Sequence, residues 1–207
     1  MFLKVFPCGP LQTNAVMIGC FEKKVCAVVD PSKGSMPLVL QTAKEEGFEI
    51  VKILLTHSHW DHIADLAPLH ETTGAPVYVH PEDAKNVLNP GSDGLPKYFE
   101  IHGVLNVHFL HAGELVLIGN LELEVEHTPG HTPGGVCFYL EKFGILIAGD
   151  TLFRGAFGRV DLPTGDLERM RKTLSRLKTF PPETRVISGH GPETTILREL
   201  RSHSWDL

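Results

Sequence analysis

The chain has 207 residues, a formal net charge of -6 at pH 7, 42% hydrophobic residues and 21% charged residues. The acidic balance excludes a surface built mainly to neutralise phosphates, so no nucleic acid partner is expected. No segment approaches the ~20 apolar residues that span a bilayer, and the opening MFLKVFPCGPLQTN is too short in apolar residues and too broken by Pro7 to resemble a secretory signal, so the expectation is a cytoplasmic protein without a membrane partner, folded as one domain over residues 1–207.

In chain order, NAVMIG and VCAVVD read as strands around the turn FEKK, and PLVLQTAKEEG reads as a helix closed by Gly47. FEIVKILL is a strand, followed by a helix beginning near His62 and ending before Gly74. VYVH is a strand, PEDAKNVL a short helix with Pro81 in its first turn, and NPGSDGLPKYFE a loop suited to act as a lid. From Leu105 to Ile147 strands dominate: ELVLIGNLELEVEH alternates on both sides of Gly119 and Asn120, a tight hairpin, and GVCFYLEKFGILIAGD repeats that pattern. Leu167, Met170, Leu174 and Leu177 recur at helical spacing until Pro181 and Pro182 stop them. RVISG is the last strand and ETTILRELRS the last helix. The order, βαβα, then hairpins, then αβα, predicts helices covering two sheets, in two halves of similar order. Cys8, Cys20, Cys26 and Cys137 lack CxxC spacing and read as reduced thiols, although Cys20 and Cys26 could meet across a hairpin.

The chemistry gathers where apolar strands end. LTHSHWDH follows VKIL, EHTPGHTPGG follows LELEV, GDT follows ILIA, and GHGP follows RVIS. Rigid strands fix such loop residues closely, which is what a site needs. His57 and His59, two apart, can point the same way and chelate one divalent ion with His131 as a third nitrogen; Asp61 and His62 would face a second ion with His190, and the two oxygens of Asp150 can bridge both. Each ion then keeps a position for water, the mark of a catalytic rather than a structural site. A closed structural zinc site would be rich in cysteine, and this set holds none.

THSHWDH, GHTPGG, AGDT and GHGP, in that order and with comparable gaps, resemble the metallo-β-lactamase superfamily; with GPLQTN and VVDPS they resemble its short glyoxalase II (hydroxyacylglutathione hydrolase) branch. The resemblance covers nearly the whole chain. It implies an α/β fold, the four-layer αβ/βα sandwich, with two divalent metal ions, zinc foremost and iron or manganese as alternatives. It assigns His57, His59 and His131 to one metal, Asp61, His62 and His190 to the other, and Asp150 to the bridge, with Asp61 also orienting the catalytic water. The reaction it implies is hydrolysis of a small-molecule thioester, S-acylglutathione such as S-lactoylglutathione. A sister branch, also with a GRxD run like GRVD, implies instead a persulfide dioxygenase with one iron on His57, His131 and Asp150.

Departures from relatives matter too. β-Lactamases of this fold carry a cysteine where Asp150 stands, which disfavours lactam hydrolysis, and flavodiiron relatives carry Glu at the place of His59. The long glyoxalase II has Tyr where this chain has Pro192 and Asp161, and a basic C-terminal domain beyond the point where this chain ends, so weakened glutathione recognition is expected. Arg159 is the candidate substrate-binding residue for an anion, with an Arg159–Asp161 ion pair as the alternative. Asp30 is expected to support ligand loops through hydrogen bonds, His127 to stand behind the ligands, Trp60 to pack under its loop, with lining the substrate cleft as the alternative, and Thr56 and Ser58 to satisfy loop amides. His70, His80, His102, His108, His111 and His203 carry no expected role.

Overall fold

The computed structural model describes residues 1–202, so His203 lies outside the described residues. Strands β1 (Phe2–Cys8), β2 (Thr13–Cys20) and β3 (Val25–Val29) run antiparallel. Helix α1 (Met36–Glu46) returns the chain to β4 (Glu49–Leu54), parallel to β3; α2 (Leu66–Thr73), β5 (Val77–Val79), α3 (Pro81–Leu88) and β6 (Val107–Phe109) continue the parallel half. These six strands form one sheet in the order of the chain.

The second half builds β7 (Leu115–Ile118), β8 (Leu121–His127), β9 (Val136–Leu140) and β10 (Ile145–Gly149), then a small hairpin of β11 (Leu152–Phe153) and β12 (Ala156–Phe157). Helix α4 (Leu167–Leu177), β13 (Arg185–Ser188), β14 (Thr194–Thr195) and α5 (Ile196–Arg201) complete it. Its sheet runs β14-β13-β10-β9-β8-β7.

The layers follow from which faces are apolar. Every residue of β2 is buried, because both faces of that strand are covered. Val16 and Ile18 point between the sheets with Leu54, Phe138 and Ile147, while Met17 points to the other face, where Val39 of α1, Leu69 of α2 and Val87 of α3 pack. Met170, Leu174 and Leu177 of α4 cover the far side of the second sheet. Each such side chain, fully buried, contributes about 1.5–3 kcal/mol. The result is a four-layer αβ/βα sandwich, helices outside two facing sheets, as the sequence implied.

Several elements differ from expectation. Strand β1 is absent from the sequence reading because Pro7 breaks its pattern; at the sheet edge, proline costs no ladder bond to an outer neighbour. Helix α2 starts at Leu66 rather than near His62, since the intervening residues form tight turns closed by His62 N to His59 O and Leu66 N to Ile63 O. The last helix starts at Ile196, because Thr194 pairs with Val186 as a strand. Cys26 sits opposite Gly19, which turns Cys20 and Cys26 to opposite faces, and all four cysteines are free. Among the described residues no helix is long and apolar enough to cross a membrane.

Candidate metal centre

All seven candidate ligands converge at the strand ends where the two sheets face each other. A Thr13–His190 bridge and the bond from Asn14 N to Gly189 O join the two halves there. Ligand atoms of His57, His59 and His131 lie within 4.8 Å of one another, and so do those of Asp61, His62 and His190; both groups could hold a metal ion. Asp150 stands between them: Oδ1 is 3.3 Å from His62 Nε2, and Oδ2 is 3.5 Å from both His131 Nε2 and His190 Nε2. His190 Nε2 also lies 3.3 Å from Asp61 Oδ2. Gly189 makes this approach possible, because a Cβ there would fall 2.1 Å from Asp150 Oδ1.

The outward nitrogens are held by the protein. Thr56 Oγ1 donates to Asp30 Oδ2 (2.6 Å), so it can only accept from His57 Nδ1 at 3.1 Å, and Nε2 of His57 is left free. Asp30 also accepts from Thr56 N and pairs with His62 Nδ1 at 2.9 Å, the supporting role expected of it. With its oxygens so engaged, Asp30 is a poor ligand, although it can form a third donor group with His57 and His62. His131 Nδ1 bonds to Arg159 O and His190 Nδ1 to Leu11 O. Thr164 Oγ1 donates to His131 O and accepts from His59 Nε2 at 3.0 Å, which leaves Nδ1 as the free nitrogen of His59.

Burial and charge divide the site. Burial, then His62 and His59, push His57 well below the usual histidine range, and burial with the neighbouring His131 takes His59 down to about 3. Burial also opposes charge on His62, yet Asp61, Asp150 and Asp30 together hold it well above that range. His190 is raised to about 9 by Asp150 and Asp61 against the effect of its burial. Burial alone would raise both carboxylates, but His62 and His190 keep Asp150 well below its ordinary value, and His62, His190 and Thr13 bring Asp61 to about 2. Thr13 Oγ1 donates to Asp61 Oδ2 at 2.7 Å.

An open cleft of about 700 Å³ lies over these donors, with Leu11, Trp60, Leu95, Tyr98, Phe153 and Leu162 in its lining. The loop that could act as a lid therefore forms part of the wall. Trp60 both packs, against Tyr98 and Phe99, and faces the cleft. Arg159 lines the cleft too, but its fork is held by Asp161 through bonds of 2.9 and 2.8 Å. The ion pair is thus formed, and three N–H donors, two on Nη1 and one on Nη2, remain for a substrate anion. Arg154 donates to Glu193 O and has a structural role. His127 bonds to Pro133 O and stacks on His80, outside the donor groups.

Sequence reasoning missed four contributors: Thr13, Thr164, Asp83 and Asn86. It also misplaced the support of one loop, because the amide of Ser58 is met not by a neighbouring hydroxyl but by Asp83 of α3. One signal was available, a polar pair three apart, Asp83 and Asn86, on the buried face that Ala84 and Val87 share.

The family described as the metallo-beta-lactamase superfamily matches residues 8–190. The probable metallo-hydrolase YqgX of Bacillus subtilis is 38% identical over 197 residues, covering 93% of this chain and 92% of its own. Hydroxyacylglutathione hydrolase GloC of Haemophilus influenzae is 31% identical over 212 residues, covering 98% and 97%. Among solved structures, a B3 metallo-beta-lactamase, BLEG-1, superposes with a TM-score of 0.88 at 33% identity over 97% of both chains. TTHA1623 in a di-iron-bound form gives 0.83 at 39% identity over 98% of both. ETHE1 from Myxococcus xanthus gives 0.81 at 27% identity over 98% of this chain and 83% of its own.

Proposed function

Since the chain belongs to the metallo-beta-lactamase superfamily, a family of metal-dependent hydrolases, we propose that it hydrolyses thioesters, S-acylglutathiones such as S-lactoylglutathione among them, with two divalent ions and zinc foremost. The observation that carries this reading is the set of orphaned polar atoms: His57 Nε2, His62 Nε2, His131 Nε2 and Asp150 Oδ1 are buried with no hydrogen-bond partner. Each unpaired buried group costs about 1–3 kcal/mol. Four of them aimed at one place fit cations as partners, and the donor set of nitrogen and carboxylate oxygen suits zinc, iron or manganese.

His57, His59 and His131 would hold one ion, Asp61, His62 and His190 the other, with Asp150 shared. Ions there would supply Lewis acidity to polarise a carbonyl and make hydroxide available near pH 7. The chain supplies the orientation. Thr13 fixes one oxygen of Asp61 and leaves the other to align a water under the cleft. A departing thiol with a pKa near ~8.5 needs little protonation, so no strong general acid is required. GloC, a hydroxyacylglutathione hydrolase 31% identical to this chain, supports the substrate class.

The di-iron-bound structure at 39% identity makes iron a metal to test, and with iron comes a second reading, the persulfide dioxygenase with one iron on His57, His131 and Asp150. The B3 lactamase at 33% identity likewise brings a β-lactam into the assay, despite Asp150 standing where a cysteine was expected of such enzymes. The test is to load metal-free protein separately with zinc, manganese and iron(II), then measure S-lactoylglutathione hydrolysis, cephalosporin hydrolysis, and oxygen uptake with glutathione persulfide. Thioester turnover is expected to exceed the other two. Untouched thioesters beside oxygen uptake by the iron form would overturn the proposal.

A further inference from the structure

Resting on the thioesterase reading, we infer that the cleft selects thioesters with an apolar acyl group of several carbons and leaves the charged ends of the thiol carrier outside. Its floor is polar, but its lining includes Leu11, Trp60, Leu95, Tyr98, Phe153 and Leu162. Tyr98 and Leu11 are 72% and 51% exposed, apolar surface that a ligand would cover. Glutathione brings two carboxylates and an ammonium. Arg159 is the one arginine or lysine among the lining residues, and Asp161 already takes its Nε and one Nη2 hydrogen, so at most one carboxylate finds a partner there, at the outer edge formed by Nη1 and Nη2. Moving a methylene from water to an apolar wall favours binding roughly fourfold at full burial. Room is not limiting in about 700 Å³.

The test uses acetyl, butanoyl and hexanoyl thioesters of glutathione and of N-acetylcysteamine, a thiol without glutathione's charges, with zinc- or manganese-loaded protein. Expected is a kcat/KM at least tenfold higher for hexanoyl than acetyl on both thiols, a rise flattened by Tyr98→Ser or Leu95→Ser. Calorimetry on metal-free protein should find S-hexylglutathione bound at least tenfold more tightly than S-methylglutathione. A flat series from active enzyme, or a strong preference for the glutathione carrier, would overturn the inference and leave the thioesterase reading standing. If no thioester is hydrolysed, that reading fails, and equal binding of the two thioethers would reject the apolar cleft by itself.

A separate observation concerns α3. We propose that Asp83, with Asn86 one turn on, is a positioning residue that clamps the two histidine loops together. Asp83 is 4% exposed; Oδ2 accepts from Ser58 N (2.9 Å), between His57 and His59, and Oδ1 accepts from Gly134 N (2.7 Å), three residues past His131. Asn86 Nδ2 donates to Ser58 O, and its Oδ1 accepts from Gly91 N, tying the cleft wall to the same loop. A Cβ on Gly134 would meet Asp83 Oδ1 at 2.6 Å, so that glycine is fitted to the clamp. One carboxylate thus sets the spacing of ligands from both sheets.

Asp83→Asn keeps the shape but turns an amide N–H toward a backbone donor, releasing one loop. Cobalt or zinc affinity at the three-histidine group should fall about 10- to 100-fold, the usual effect of losing a ligand's support, with a changed visible cobalt spectrum. Val39→Ala, a core truncation in α1, serves as the stability control and should leave both unchanged. If Asp83→Asn does not fold, Gly134→Ala, which presses on the same carboxylate, carries the same expectation. Wild-type affinity in the folded variant, or equal loss in Val39→Ala, would overturn the assignment.

Discussion

Loading the metal-free protein should release protons unequally from its two halves. At pH 7.5 His57 and His59 are neutral, each with a single N–H, because burial and neighbouring imidazoles depress them, His59 to about 3. His62 and His190 each carry a second, ionisable proton, since both are raised, His190 to about 9. Asp61, at about 2, and Asp150, lower than usual, are ionised already. An ion entering beside Asp61 must therefore expel a proton from each of two histidines, whereas His57 and His59 release none. Two protons correspond to a 100-fold gain in that ion's affinity per pH unit, about 2.7 kcal/mol, and the slope should drop by one proton above pH 9, where His190 is already neutral. Calorimetric titration with zinc in buffers of different ionisation enthalpy, from pH 7 to 9.5, counts the protons for each ion. The sign for stability is the same: both histidines have folded values above their unfolded 6.5, so they stabilise the metal-free fold fully below pH 6.5, and the contribution is lost as pH rises through each folded value, for His190 through about 9. Equal proton release for the two ions, or a metal-free melting temperature that climbs between pH 7 and 9, would refute the division of the site.

Other outcomes follow from single contacts. Asp150→Ala should empty both metal positions after dialysis, while His190→Ala should empty mainly one, as read by metal analysis. Gly189→Ala, whose new Cβ would collide with Asp150 Oδ1, should lower metal affinity at least tenfold. Thr164→Val removes the partner that fixes His59 Nε2 and should weaken binding at the three-histidine group about tenfold. Arg159→Ala should raise the KM of a glutathione thioester only a few-fold with kcat near wild type, because Asp161 already neutralises the guanidinium and takes two of its five N–H donors; a change above 100-fold would mean that Asp161 releases Arg159 to the substrate.

What was legible in the sequence was what is local in it. His57, His59, Asp61 and His62 fall within six residues after a strand, and the remaining ligands sit at strand ends beside glycine or proline, so residue type and spacing sufficed to assemble them. The layers were legible for the same reason: runs such as those of β2 and β10 are apolar on both faces, and α4 keeps its stripe. Strand β1 was not legible, because an edge strand with partial exposure and a proline carries no complete alternation. The start of α2 was misjudged because apolar residues at Ile63 and Leu66 continue a helical spacing through turns that ligand placement requires.

The supporting residues were hidden by distance along the chain. Asp83 is 25 residues from Ser58 and 51 from Gly134, and Thr164 is 105 from His59. Each is an ordinary polar residue in its own segment, and only the closure of two sheets against each other brings it to an imidazole or a loop amide. That difference has a chemical consequence. A ligand motif declares the type of atom offered to an ion, but which nitrogen of each histidine faces it depends on what holds the other: Thr56 for His57 and Thr164 for His59, which leave Nε2 free on one and Nδ1 on the other. The two imidazoles of one HxH motif can thus approach a single point from different edges, which their two-residue spacing alone does not dictate.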